Sequence, residues 1–248
     1  MLHVQLDQSI GSFQLRRIEF SVAQGEVVGI LGPNGSGKSS VLDHLTNWHE
    51  PDVGSVTYDG RDIRSMTSLE RARTVAQLSQ RRHEPFQQTV EQLCSIALYA
   101  APRDVDRSER IEQTLQTFQL SSLRHRFLDE LSGGERQRAY IAQLACRQTP
   151  YVLLDEPTTY LDEAYKQFVF RTVREWATLE RKGVVLVLHD FNEAIAHCDR
   201  VVILSDGKQV GVGSPEDVLT SPFIRTHFGA NVVTVKHPVS GRNYVLPL

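Results

Sequence analysis

Long apolar runs, cysteines and a bias of charge are what this chain has least of. No stretch reaches the roughly 18 consecutive apolar residues that a membrane-spanning helix needs. The start, Met1 to Asp7, has no cationic region and no apolar core, so it reads as a first strand rather than a signal peptide. There are three cysteines, Cys94, Cys146 and Cys198, odd in number and far apart. That excludes a disulfide framework and any recognisable metal-ligand spacing, and it suits buried thiols in a reducing compartment. Lys and Arg total 27 against 30 Asp and Glu, interspersed, for a net charge of -3. Neither the footprint of a nucleic-acid binder nor a basic tract for anionic lipid is present. Repeats and low-complexity segments are also missing.

What is there is a chain of 248 residues, 40% apolar, enough to fill a sizeable core. Strand-like runs at 27–31, 152–154 and 184–188 are followed by helical stretches. The last two runs are continuously apolar, as parallel strands covered on both faces are. This predicts an α/β fold with a mainly parallel sheet. Residues 91–98, 107–118 and 134–146 have helical periodicity and few strand signals, which predicts an inserted helical lobe. The expected division is a core of residues 1–80 and 149–230, a helical lobe at 81–148 and a C-terminal hairpin at 231–248. Ser214 followed by Pro215 marks a helix start, and 232–235 with 244–246 around Ser240-Gly241 marks the hairpin.

Three motifs carry chemistry. Gly32-Pro33-Asn34-Gly35-Ser36-Gly37-Lys38-Ser39, with Ser40 after it, lies between a strand and a helix, the context a phosphate-binding loop requires. Its glycines let backbone N–H groups turn inward, and the helix N-terminus adds positive dipole. Lys38 is placed to bridge β- and γ-phosphates, and the Ser39 hydroxyl to ligate Mg²⁺. Asp155 and Glu156 end an apolar strand. Asp155 suits Mg²⁺ held through water, and Glu156 suits a base for an attacking water; capping the turn before Pro157 is the plainer role for Glu156. In Ser132-Gly133-Gly134-Glu135, Ser132 offers an N-cap hydroxyl and the glycines permit close backbone approach to an anion. An ordinary capped helix would look the same locally.

The run from Leu131 to Gln137, LSGGERQ, together with the phosphate loop and the acidic pair, resembles the ATP-binding subunits of ABC transporters over essentially the whole chain. The resemblance implies a P-loop NTPase, RecA-like sheet core with an antiparallel β subdomain and an inserted helical lobe. It implies a homodimer sandwiching two ATP molecules with Mg²⁺, each between one chain's phosphate loop and Ser132, Gly133, Gly134 and Glu135 of the other. It further implies Glu156 as catalytic base and His189 as the residue that senses the γ-phosphate. Gln80 becomes the glutamine that touches Mg²⁺ and water, with Gln77, Gln87 and Gln88 as rivals. Asp162 becomes a contact to the second chain, a role compatible with capping the following helix. Where relatives carry an adenine-stacking aromatic this chain has Ser9-Ile10. Phe13, four residues away, is either that platform or a core residue. Ser39-Ser40 replaces the usual Ser-Thr, leaving the magnesium position filled.

The same resemblance implies a peripheral protein at the cytoplasmic face of the cell membrane. Its partner is a permease dimer docked in a groove formed by the glutamine loop and the helical lobe near 96–102. A substrate-binding protein is an indirect partner, and nucleic acid is not a partner. Stretches 149–162, 189–194 and 237–247 look like the iron-siderophore, haem and cobalamin importer group, with a ferric siderophore as the expected cargo. The alternative is a haem or cobalamin importer ATPase, and after it an exporter ATPase or a soluble ATPase acting on nucleic acid.

Overall fold

The computed structural model describes residues 1–10, 13–79, 87–101, 105–159 and 161–248. The strands are β1 (Leu2–Ile10), β2 (Phe13–Val22), β3 (Val27–Leu31), β4 (Val53–Tyr58), β5 (Arg61–Asp62), β6 (Val75–Leu78), β7 (Tyr151–Asp155), β8 (Gly183–Val187), β9 (Arg200–Ser205), β10 (Lys208–Gly213), β11 (Val232–Lys236) and β12 (Asn243–Pro247). The α-helices are α1 (Lys38–Leu45), α2 (Ser68–Thr74), α3 (Val90–Ala97), α4 (Arg107–Thr117), α5 (Gly133–Arg147), α6 (Glu163–Thr178), α7 (Phe191–His197), α8 (Pro215–Val218) and α9 (Ser221–Phe228).

Ten strands form one sheet in the order β5-β4-β1-β2-β10-β9-β3-β8-β7-β6. From β9 to β6 the pairings are parallel. On the other side β10 runs antiparallel to β9 and pairs parallel with β2, and β2, β1, β4 and β5 follow in that order as antiparallel neighbours. The sheet is therefore mixed, with the expected parallel strands as one half of it.

β3, β7 and β8 are buried along their whole length. Successive side chains point to opposite faces. Val28 and Ile30 of β3 enter a core with α1, whereas Val27 and Leu31 enter the core built with α5 and α6. Leu153 and Leu154 of β7 divide in the same way. Tyr58 and Tyr151 meet edge-to-face at 4.9 Å below α1, and the Tyr58 hydroxyl donates to Leu45 O at 2.7 Å. That contact seats the C-terminal end of the helix.

The connection between β6 and β7 carries α3, α4 and α5, which pack on one another. Capping boxes start α2 (Thr67 with Glu70), α3 (Thr89 with Gln92) and α5 (Ser132 with Glu135). Among the described residues no helix is long and apolar enough to cross a membrane. Because β3, β8 and β7 are parallel neighbours, their C-terminal ends deliver three loops to one edge of the sheet.

Candidate functional site

The loop after β3 wraps over the start of α1. Gly37 is the N-cap residue, with φ 99° and ψ 12°, and no side chain caps the helix. A side-chain-free cap leaves the first N–H groups facing the open loop, where an anion is favoured. A Cβ on Gly32 would stand 2.2 Å from Leu204 O, so only glycine lets the loop lie against β9. Lys38 is 6% exposed, and its ammonium donates to Gly32 O at 2.8 Å and Pro33 O at 3.1 Å. Burial lowers its pKa, against the opposing pull of Glu156 and Asp155.

Asp155 ends β7 and is 4% exposed. Burial raises its pKa, while a hydrogen bond with Ser39 acts the other way. Its Oδ1 is buried with no hydrogen-bond partner among the described residues. An orphaned carboxylate oxygen beside a serine hydroxyl is a donor set that fits a hard divalent cation.

Glu156 leaves the strand in the left-handed region, φ 50°, a conformation that costs a non-glycine residue about 1–3 kcal/mol. Its N–H donates to Val187 O at 3.2 Å, so the bend is anchored to the neighbouring strand. The bend turns the carboxylate across to His189. Glu156 Oε1 pairs with His189 Nε2, and Oε2 accepts from Thr159 Oγ1 at 3.4 Å. His189 is 43% exposed at its side chain and Glu156 only 12%.

These groups share a cavity of about 480 Å³. Asn34, Gly35, Gly37, Lys38, Ser39 and Ser40 line one side, Glu156 and His189 the other, and Phe13 one end. Phe13 opens β2, is half-buried, and its ring comes within 3.0 Å of where a Cβ on Gly37 would stand. A second cavity of about 330 Å³ continues beyond it, shared through Phe13 and Gly35 and bordered by Arg16, Asp206 and Lys208. The four-residue offset along the chain therefore does not remove Phe13 from the site; the register of β2 brings it there.

Ser132, Gly133 and Gly134 are not on the walls of this cavity. Ser132 accepts from Glu135 N at 3.3 Å, and its own N–H donates to Glu135 Oε2 at 2.9 Å. Ser132 and Gly133 are exposed, and a Cβ on Gly133 would meet nothing within 4 Å. A Cβ on Gly134 would instead stand 3.0 Å from the Tyr165 ring. Asp162 caps α6, accepting from Tyr165 N at 2.9 Å. Gln80 lies outside the described residues. Of its rivals, Gln77 sits in β6 opposite Leu153 and Gln87 donates to Asp129 at 3.2 Å, and neither is among the described residues that line the cavity. Gln88 is held by its carbonyl, which accepts from Leu128 N.

Two tethers escaped sequence reasoning. Gln137 Nε2 donates to Pro157 O at 2.7 Å, joining α5 to the loop after Glu156. Glu193 accepts from Thr158 Oγ1 at 3.2 Å and pairs with Lys166 at 3.1 Å, joining α7 to that loop and to α6. The available signals were Gln137 closing the LSGGERQ run and Glu193 standing one helical turn after His189.

The family model for ABC transporters matches residues 15–159. The hemin import ATP-binding protein of Pseudomonas entomophila is 34% identical, over 94% of this chain and 93% of that protein. The petrobactin import ATP-binding protein of Bacillus anthracis is 33% identical, over 89% and 83%. The ferric enterobactin transport ATP-binding protein of Escherichia coli is 31% identical, over 98% and 92%. Among solved structures, a metal-chelate type ABC transporter in an inward-facing conformation superposes with TM-score 0.84 at 25% identity, covering 100% of this chain and 97% of the other.

Proposed function

The chain belongs to the ABC transporter family, and from that premise we propose that it powers a separate membrane permease importing a metal chelate, with a ferric siderophore as cargo. It is an ATP hydrolase. The observation that carries the mechanism is the cavity that unites the phosphate loop with Glu156 and His189 while leaving Ser132 outside it.

In this reading residues Gly32 to Ser40 wrap the phosphates. Lys38 exchanges its loop carbonyls for the β- and γ-phosphates. Ser39, Asp155 and Gln80 would hold Mg²⁺, which would screen the phosphate charge. Glu156 takes the proton from a water whose oxygen bonds to the γ-phosphorus as the bond to the ADP oxygen breaks. His189, oriented by Glu156, contacts the γ-phosphate. Phe13 stacks on adenine.

Ser132, Gly133, Gly134 and Glu135 of a second copy close each site over the γ-phosphate, and Asp162 contacts that copy. Loss of the γ-phosphate on hydrolysis releases the closed pair. The division into a core (1–80 and 149–230), a helical lobe (81–148) and a C-terminal hairpin (231–248) assigns motion to the lobe. Ile96 and Tyr99, 55% and 84% exposed, stand in the segment proposed to receive the permease. The chain then works at the cytoplasmic face of the membrane, served indirectly by a substrate-binding protein.

The petrobactin, enterobactin and siderophore importer relatives support the siderophore cargo. Haem is the second reading, favoured by hemin importer relatives at 34–35% identity. Uptake of a radiolabelled ferric siderophore and of haem by a strain lacking the gene separates the two. The siderophore reading requires that siderophore uptake fail and haem uptake persist; the reverse result assigns haem.

A further inference from the structure

The C-terminal hairpin stands apart from the large sheet. Among the described residues β11 and β12 pair only with each other. The hairpin packs on two helices: β11 lies on α9, where Thr234 N donates to Ser221 Oγ at 2.9 Å, and β12 lies on α7, the helix that follows His189. Asn192 Nδ2 donates to Val245 O at 3.0 Å, and Asn192 Oδ1 accepts from Val245 N at 2.7 Å. One side chain thus satisfies both backbone groups of a β12 residue, as a neighbouring strand would. At the other end of α7, Arg242 donates to Ile195 O at 3.2 Å and Ala196 O at 2.6 Å. A cation on the last carbonyls of a helix is favoured by the helix dipole.

We propose that the C-terminal hairpin positions His189 for hydrolysis through α7, with Asn192 and Arg242 as positioning residues. This rests on the reading of His189 as the γ-phosphate contact. α7 has only seven residues, too few to hold its own conformation or direction in water. Its axis is set by what it touches, and the hairpin holds it near both ends. Asp190 couples the helix to His189, because its carboxylate accepts from Asn192 N at 2.6 Å and Glu193 N at 3.1 Å. A turn of α7 therefore swings the imidazole relative to Glu156. Displacement of a reacting group by about 1 Å can cost roughly 100-fold in rate. The ties of Glu193 to Thr158 and Lys166, of Arg174 to His197 O, and of the His197 and Phe191 rings to Phe170 and Phe228 do not involve the hairpin, so α7 keeps these anchors when the hairpin contacts are removed.

The test compares steady-state ATP hydrolysis by the full chain and its Arg242→Ala, Asn192→Ala, Arg242→Lys, His189→Ala and Arg242→Ala/His189→Ala variants. ATP affinity is titrated directly and thermal unfolding is followed in parallel. The expected result is a fall in kcat of about tenfold or more for Arg242→Ala and Asn192→Ala, with ATP affinity within about twofold of the parent. Arg242→Lys should recover part of the loss, and Arg242→Ala should cost nothing further once His189 is alanine. Arg242→Gln and Asn192→Asp carry the same comparison if the alanine variants do not fold. A parental kcat in Arg242→Ala beside a slow His189→Ala overturns the hairpin proposal and leaves the His189 reading intact. Losses that multiply in the double variant overturn it too, because the hairpin then acts by another route. A parental kcat in His189→Ala removes the His189 reading, and the hairpin proposal with it.

Discussion

Lys38 and Asp155 are held almost out of water, at 6% and 4% exposure; the lysine is held by two loop carbonyls, and among the described residues Asp155 Oδ1 has no hydrogen-bond partner. Burial pulls the lysine pKa down and pushes the aspartate up, so each gains when phosphate and a cation complete its shell. Lys38→Ala is expected to weaken ATP binding at least about tenfold, the worth of a hydrogen bond to a charged group at about 1.5–3 kcal/mol. Isothermal titration with ATP checks this, and an unchanged affinity removes Lys38 from its role. Phe13→Ala is expected to weaken ATP binding by about 1–3 kcal/mol, the range for a base stacked on an aromatic ring, with little change in kcat. Equal affinity in the two proteins would return Phe13 to the core.

At the scale of elements, α5 and α7 are both short-range designs completed by distant contacts. Gly133 is the first residue of α5 and its absent Cβ faces open space. Gly133→Ala should therefore leave the single chain as stable as before, or slightly more so, since alanine outperforms glycine in helices. If the backbone there must approach a γ-phosphate held by a second copy, the same change lowers ATP hydrolysis. Paired unfolding and hydrolysis measurements decide it, and full activity sinks the close-approach role. The C-terminal end of α7 makes a pH-dependent contribution. His197 stacks on Phe170 with centroids 3.9 Å apart, and burial, reinforced by Arg174 and Arg242, lowers its pKa to about 4 from 6.5. The unfolded chain takes up this proton between those values and the folded chain does not, so stability is full above about pH 6.5 and falls as pH drops toward 4. In His197→Phe the loss of urea midpoint across that window should be shallower. A slope identical to the parent's would show that His197 is not responsible.

At the scale of the whole molecule, one chain holds a phosphate cavity and an exposed helix N-terminus that does not reach it. In the proposed sandwich, two copies facing each other complete both. Glu156→Gln keeps the shape of the side chain and removes the base, so hydrolysis should fall by about 10²–10⁴ while ATP binding persists. Gel filtration of that variant with ATP and Mg²⁺ should show a dimer that reverts to monomer without nucleotide. Monomer under both conditions would falsify the sandwich for the isolated chain.

Features set by neighbours along the chain were legible in the sequence. The phosphate loop between strand and helix, the capping serine and glutamate of α5 and the doubly buried runs of β7 and β8 depend on local spacing, so residue order alone determines them. Tertiary structure decided the rest, because the contacts join residues far apart. The register of β2 carries Phe13 to Gly37 although its linear position is four residues off. Val187 O holds the left-handed turn that aims Glu156 at His189. Asn192 meets Val245 across 53 positions of sequence. No periodicity or motif encodes such a pairing, since it exists only after the sheet has placed α7 and β12 side by side.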